Sequence, residues 1–216
     1  MLKGAIFDMD GLLLDTERLY AESWGEAARS FGQEPAKVFA KAVCGTNGEK
    51  MLEVIHSYYP EVDAKAFMEF CIHRVEDILR TEIPEKPGMR EILKFFQENN
   101  VKMAVASSTK LATIEDNFQR LGVISMFSAI VSGQQVAKGK PAPDIFLLAA
   151  EQIGCKAEEC YVFEDSANGI RAGKAAGCCT IMIPDLTLPD DELKGLATGI
   201  YGSLMEAMEA IGKGEI

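Results

Sequence analysis

The sequence predicts an α/β protein: a doubly wound parallel sheet with an inserted α-helical domain. Three observations carry that expectation. From residue 85 onward, short apolar runs of strand character alternate with stretches of helical period, the pattern of βαβ units whose sheet is covered on both faces. One apolar run, residues 4–7, stands apart and is followed by a long stretch in which nothing reads as a strand. Pro84 and Pro87-Gly88 then punctuate the return to the alternating pattern.

Taken in chain order, residues 4–7 form the first strand. The stretch after it carries two helical patterns. Residues 17–31 place Leu19, Trp24, Ala27 and Ala28 on one face, and residues 64–79 do the same with Phe67, Phe70, Cys71, Val75 and Ile78. The expected division is therefore a core domain of residues 1–15 and 85–216 and a helical cap of residues 16–84, joined by two short crossings that favour hinge motion. Later strands are expected at residues 102–106, 129–132, 160–163 and 179–183. A helix is expected to start near Thr109, and another carries Ile145, Leu148, Ala149 and Ile153 between Pro143-Asp144 and Gly154. The acidic stretch Pro189-Asp-Asp-Glu192 suits either a solvated loop or a helix start.

Composition narrows the function. With 48% apolar and 25% charged residues in a chain of 216, a folded globular protein is expected. The 33 acidic residues outnumber the 22 basic ones, and a net charge of −11 has the wrong sign for nucleic acid or an anionic membrane surface, so neither is expected as a partner. An anionic ligand must be captured locally, which a Debye length of about 8 Å permits. Asp8 and Asp10 break the apolar run that a signal peptide needs, and no later run spans a membrane, so a cytoplasmic protein is the expectation, taken as a monomer. Six cysteines without a C-x-x-C pair, and only His56 and His73 beside them, suggest reduced buried thiols rather than zinc or redox chemistry.

Open parallel sheets bind ligands beyond the carboxyl ends of their strands, so the residues just after each apolar run are the informative ones. These are Asp8-Met9-Asp10-Gly11, Ser107-Ser108-Thr109, Lys140 after a short gap, and Glu164-Asp165-Ser166. Asp8 and Asp10, two apart, suit a common direction if extended geometry persists that far. Together with Glu164 and Asp165 they would make a like-charged cluster that needs cations, and hard oxygen ligands with room for water suit Mg²⁺. Ser107 and the following backbone N–H groups suit a phosphate, and Lys140 adds a fixed positive charge. Each motif alone also has an ordinary reading: a solvated turn, a helix cap, a surface lysine.

In combination, Asp8-Met-Asp-Gly-Leu-Leu-Leu-Asp-Thr16, Ala106-Ser107-Ser108, Gly139-Lys-Pro-Ala-Pro-Asp144 and Glu164-Asp-Ser-Ala-Asn-Gly169 resemble the haloacid-dehalogenase superfamily, in its phosphatase and β-phosphoglucomutase branch with a helical cap. The resemblance covers nearly the whole chain and implies a Rossmann-like core. It implies that Asp8 is the nucleophile and Asp10 the general acid/base, and that Ser107 and Lys140 hold the phosphoryl group, with Ser108 beside them. It also implies a Mg²⁺ cofactor on the Asp8 carboxylate, the Asp10 backbone carbonyl and Asp165, with Glu164 assisting. The cap would exclude water and choose the leaving group. There the segment Cys44-Gly-Thr-Asn-Gly-Glu-Lys50, with Asn47 and Lys50, is the candidate for substrate contact, or else a mere connecting loop. Gly48 stands where the sugar-phosphate mutases carry a phosphate-binding arginine, and Tyr20 where they carry a histidine. Lys50 or Arg74 would have to compensate.

The expected activity is hydrolysis of a small phosphorylated metabolite, a sugar phosphate, by a Mg²⁺-dependent phosphatase. The alternatives are a β-phosphoglucomutase, a receiver-like phosphoacceptor domain and a dehalogenase. The helical insert disfavours a receiver, and Asp10 disfavours a dehalogenase, which has no leaving alkoxide to protonate.

Overall fold

The computed structural model describes every residue of the chain except Gly45 and Asn47. It divides into two compact units, Met1–Leu14 with Glu85–Ile216, and Asp15–Pro84.

The first unit is built on a six-stranded sheet among the described residues. Its strands are β1 (Gly4–Phe7), β2 (Lys102–Ser107), β3 (Ala129–Ser132), β4 (Cys160–Glu164), β5 (Cys179–Met182) and β6 (Gly199–Ile200). They lie in the order β3-β2-β1-β4-β5-β6, every neighbouring pair parallel. The register Gly4↔Lys102 and Gly4↔Cys160 sets β1 between β2 and β4, so the three carboxyl ends lie side by side. A central parallel strand is buried on both faces, which is why GAIF of β1 is wholly apolar.

Six α-helices surround this sheet: α5 (Met89–Glu98), α6 (Leu111–Arg120), α7 (Asp144–Gln152), α8 (Ala167–Ala176), α9 (Asp191–Leu196) and α10 (Leu204–Lys213). On one face Phe146, Ala149 and Ile153 of α7 and its end pack with Ile6, Ala104, Val131 and Val162. On another, Phe7 stacks on Phe163 with ring centres 4.8 Å apart and meets Phe96 edge-on at 5.9 Å. The acidic stretch at 189–192 proves to be a helix start, since Asp190 caps α9 by accepting from Leu193 N at 2.9 Å.

The second unit contains α1 (Thr16–Ser30), α2 (Phe39–Val43), α3 (Gly48–Tyr58) and α4 (Ala64–Thr81). Its centre is aromatic: Trp24, Phe39, Tyr59 and Phe67 are buried against one another. Asp63 starts α4 by accepting from the N–H groups of Lys65 and Ala66. Phe70 and Ile78, expected on the apolar face of α4, are only partly buried. Among the described residues no helix is long and apolar enough to cross a membrane.

Candidate active site

β1 is the strand at which the order turns, with β2 and β3 to one side and β4 to β6 to the other, and ligands of open α/β sheets bind at such a point. Asp8 follows β1 directly, and its N–H still donates to Phe163 O at 3.0 Å. The regular strand stops there. The N–H groups of Leu13 and Leu14 both turn back to Met9 O, and Gly11, at φ +82°, makes a turn that a side chain would strain. Met9, Leu12, Leu13 and Leu14 are buried and anchor this turn, leaving Asp8 and Asp10 as its polar members.

Asp8 and Asp10 take different partners. Lys140 Nζ donates to Asp8 Oδ1 and to Glu164 Oε1, each at 2.5 Å, and to Ala106 O at 3.1 Å. Phe146 lies under the ammonium, 4.9 Å from Nζ to the ring centre. Lys140 and both carboxylates are buried, so this is a desolvated ion triad with one anion more than it has cations. Burial pushes the Asp8 carboxyl up to about 8; the nearby charges of Glu164 and Asp10 push the same way and Lys140 opposes them. Burial works against the Lys140 ammonium, but the pull of Asp8 and Glu164 outweighs it and holds its pKa above the usual lysine value.

Asp10 faces the loop after β2. Thr109 Oγ1 donates to Asp10 Oδ2 at 2.7 Å and Ser107 Oγ to the same oxygen at 3.3 Å. Ser107 Oγ also accepts from Thr109 N at 3.1 Å. The expected helix start near Thr109 is therefore corrected to Leu111: Lys110 is extended (φ −61°, ψ 139°) because the loop is bent to bring two hydroxyls onto Asp10. Ser107 is accordingly not the cap of α6. Thr109 stands at a strand end in the sequence but carries no role there, because a threonine between a strand and a helix looks like an ordinary capping residue.

Glu164 is the last residue of β4. Its Oε2 accepts from both the N–H and the hydroxyl of Ser166 at 2.9 Å, and Ser166 in turn caps α8 by accepting from Gly169 N. Asp165 follows, buried at 4% exposure. Ser108 is exposed at the same loop as Ser107. Lys50 is exposed on α3, and Arg74 is committed to Glu26 within the helical unit, Nε to Oε2 at 2.6 Å. Asn47 lies outside the described residues.

Among the described residues no three His, Cys, Asp or Glu side chains form a metal cage. The set implied for magnesium does not need one. It takes two carboxylates, Asp8 and Asp165, and one backbone carbonyl, that of Asp10, and Mg²⁺ commonly keeps waters and uses one or two carboxylates beside a phosphate. Asp8 and Asp165 are both buried, at 6% and 4% exposure, and a cation there would offset the desolvation that raises the Asp8 carboxyl, so the residues present fit the ion.

The family profile described as haloacid dehalogenase-like hydrolase matches residues 5–183. A relative from Thermotoga maritima (strain ATCC 43589), named phosphorylated carbohydrates phosphatase, is 33% identical over 82% of each chain. The β-phosphoglucomutase of Bacillus subtilis (strain 168) is 30% identical, covering 82% of this chain and 80% of its own length. The crystal structure of a hydrolase from Deinococcus radiodurans R1, with bound phosphate and sodium, superposes with a TM-score of 0.83 at 25% identity, covering 98% of this chain and 96% of that one. The chain is thus an enzyme of phosphatase type and belongs to the haloacid dehalogenase-like hydrolases, in the branch that holds phosphatases and β-phosphoglucomutase-like proteins.

Proposed function

We propose that the protein is a Mg²⁺-dependent phosphatase that hydrolyses a small phosphomonoester, a sugar phosphate, by way of a phosphoryl group carried on Asp8. The observation that carries this reading is the buried Lys140, donating at once to Asp8 and Glu164 at the carboxyl end of the sheet. A buried lysine shared between two carboxylates fixes a positive charge beside Asp8, where a transferring phosphoryl group would develop negative charge. The Thermotoga relative's name supports the sugar-phosphate class.

In this reading Asp8 attacks phosphorus; the Oδ–P bond forms as the bond from phosphorus to the leaving alkoxide breaks. Asp10 gives that alkoxide its proton. Ser107 and Lys140 hold the transferring phosphoryl oxygens. Asp10 then takes a proton from water, the water oxygen bonds to phosphorus, and Asp8 is released with inorganic phosphate. Magnesium on Asp8, the Asp10 carbonyl and Asp165 would supply charge neutralisation for the approaching anions. Glu164, held by Lys140 and Ser166, is read as an outer-shell partner. Residues 16–84 are read as the cap that chooses the leaving group.

A magnesium-supplemented screen of phosphorylated sugars, nucleotides and polyols, scored for phosphate release and for isomer formation, tests the proposal. Net phosphate release that Asp8→Asn abolishes supports it. Interconversion of glucose 1- and 6-phosphates with little free phosphate would replace it with a mutase. The Gly48 and Tyr20 positions speak for hydrolysis.

A further inference from the structure

We propose that Thr109 is the positioning residue that aims the Asp10 carboxylate, held in place by Ser132 of the neighbouring strand. This rests on the reading of Asp10 as general acid/base. Thr109 makes the shorter of the two hydroxyl contacts to Asp10, at 2.7 Å against 3.3 Å for Ser107, and both fall on Oδ2. A hydroxyl that donates to one carboxylate oxygen fixes the rotation of the group, and with it the direction in which the carboxyl exchanges a proton with an ester oxygen or a water.

Thr109 is itself fixed from below. Ser132, fully buried at the end of β3, donates its hydroxyl to Thr109 O at 2.6 Å, and Gln135 Oε1 accepts from Ser132 N at 2.7 Å. Gly133 adds close packing. A Cβ there would stand 3.3 Å from Ser108 Cα, tighter than ordinary van der Waals contact, so the turn after β3 sits directly against the loop after β2. The chain Gln135–Ser132–Thr109–Asp10 thereby ties the carboxyl end of β3 to the proton-transfer step. Precise aim matters there, because a displacement of about 1 Å can cost about 100-fold in rate.

The test compares two esters that differ in how much their leaving group needs a proton: phenyl phosphate, which needs it, and p-nitrophenyl phosphate, which needs it far less. Thr109→Val is expected to lower kcat/KM for phenyl phosphate roughly ten- to a hundredfold more than for p-nitrophenyl phosphate, the range expected for a proton-transfer group that has lost its aim. Thr109→Ser, which keeps the hydroxyl, restores the wild-type ratio. Asp10→Asn shows the same selective loss, and adding Thr109→Val to it changes the ratio no further. Parallel losses on the two esters, or no loss on either, would overturn the proposal. If Thr109→Val does not fold, Ser132→Ala carries the same expectation with the same contrary outcomes. Failure of the site reading is distinguishable: wild-type protein would then turn over neither ester, or Asp8→Asn would leave turnover intact.

Discussion

Gly169 leaves the space that Glu164 fills: a Cβ on Gly169 would overlap the Glu164 carboxylate, which lies against the first turn of α8. Only glycine lets Glu164 sit there and reach both Lys140 and Ser166. Alanine is normally the better helix former by about 0.5–1 kcal/mol, but overpacking costs about 1–3 kcal/mol, so Gly169→Ala is expected to destabilise. It should also drive Glu164 off Lys140 and remove most phosphatase turnover. Thermal melting and steady-state kinetics check this; a stabilised, fully active Gly169→Ala would show that Glu164 has room elsewhere.

Lys140 neutralises two buried carboxylates at once, and its removal leaves both uncompensated. Breaking a buried ion pair from one side typically costs about 3–5 kcal/mol. Lys140→Met, close in length and able to rest on Phe146, is therefore expected to lower stability by an amount in that range and to abolish turnover. Because the cost is electrostatic, it should shrink when magnesium is added. Urea unfolding with and without magnesium measures both effects.

The contrast between what the chain announces and what it conceals is physical. Residues 4–7 are legible as a strand because a central parallel strand must be apolar on both faces. β6, two residues long, is too short to show any period, and α10 after it lacks a motif to mark it. Asp8 and Glu164 are legible because each ends an apolar run at a place where a carboxylate is otherwise costly, and Lys140 because it stands in the Gly139-Lys-Pro-Ala-Pro-Asp144 motif. Thr109, Ser132 and Phe146 are not, because their roles arise only when β2, β3 and α7 are brought together, and no local spacing encodes that meeting. Gly169 lies between these cases: its place in the motif is visible, but the collision that requires it is not.

The six cysteines are free thiols, and burial pushes Cys160 and Cys178 up to about 12 and Cys71 higher still. A thiol whose folded pKa lies above the ordinary 9.0 contributes stability in full below that value and loses it as pH rises towards 12, because the unfolded chain gains the thiolate first. The urea midpoint in reducing buffer should fall between pH 9 and the folded values. At pH 8 the three thiols should resist iodoacetamide in the native protein and react on unfolding, as read by peptide mass mapping. Rapid native labelling of Cys160 would contradict the packing around β4.

The single tryptophan reports on the helical unit. Trp24, 4% exposed, stacks on Phe67 with ring centres 5.9 Å apart and meets Phe39 edge-on at 5.5 Å. Phe67 is fully buried, and truncating such a ring costs about 3–5 kcal/mol. Phe67→Ala should shift Trp24 emission to the red and destabilise the α1–α4 bundle. An unshifted spectrum would mean that water does not reach the vacated space.

If Asp8 takes up the phosphoryl group, the phosphorylated enzyme can be trapped chemically. Enzyme mixed with magnesium and p-nitrophenyl phosphate, quenched in acid within the first turnovers and digested, should yield one peptide heavier by a single phosphoryl group, with the label on Asp8 and absent from Asp8→Asn. Turnover with no labelled peptide, or a label on any other residue, would contradict the account.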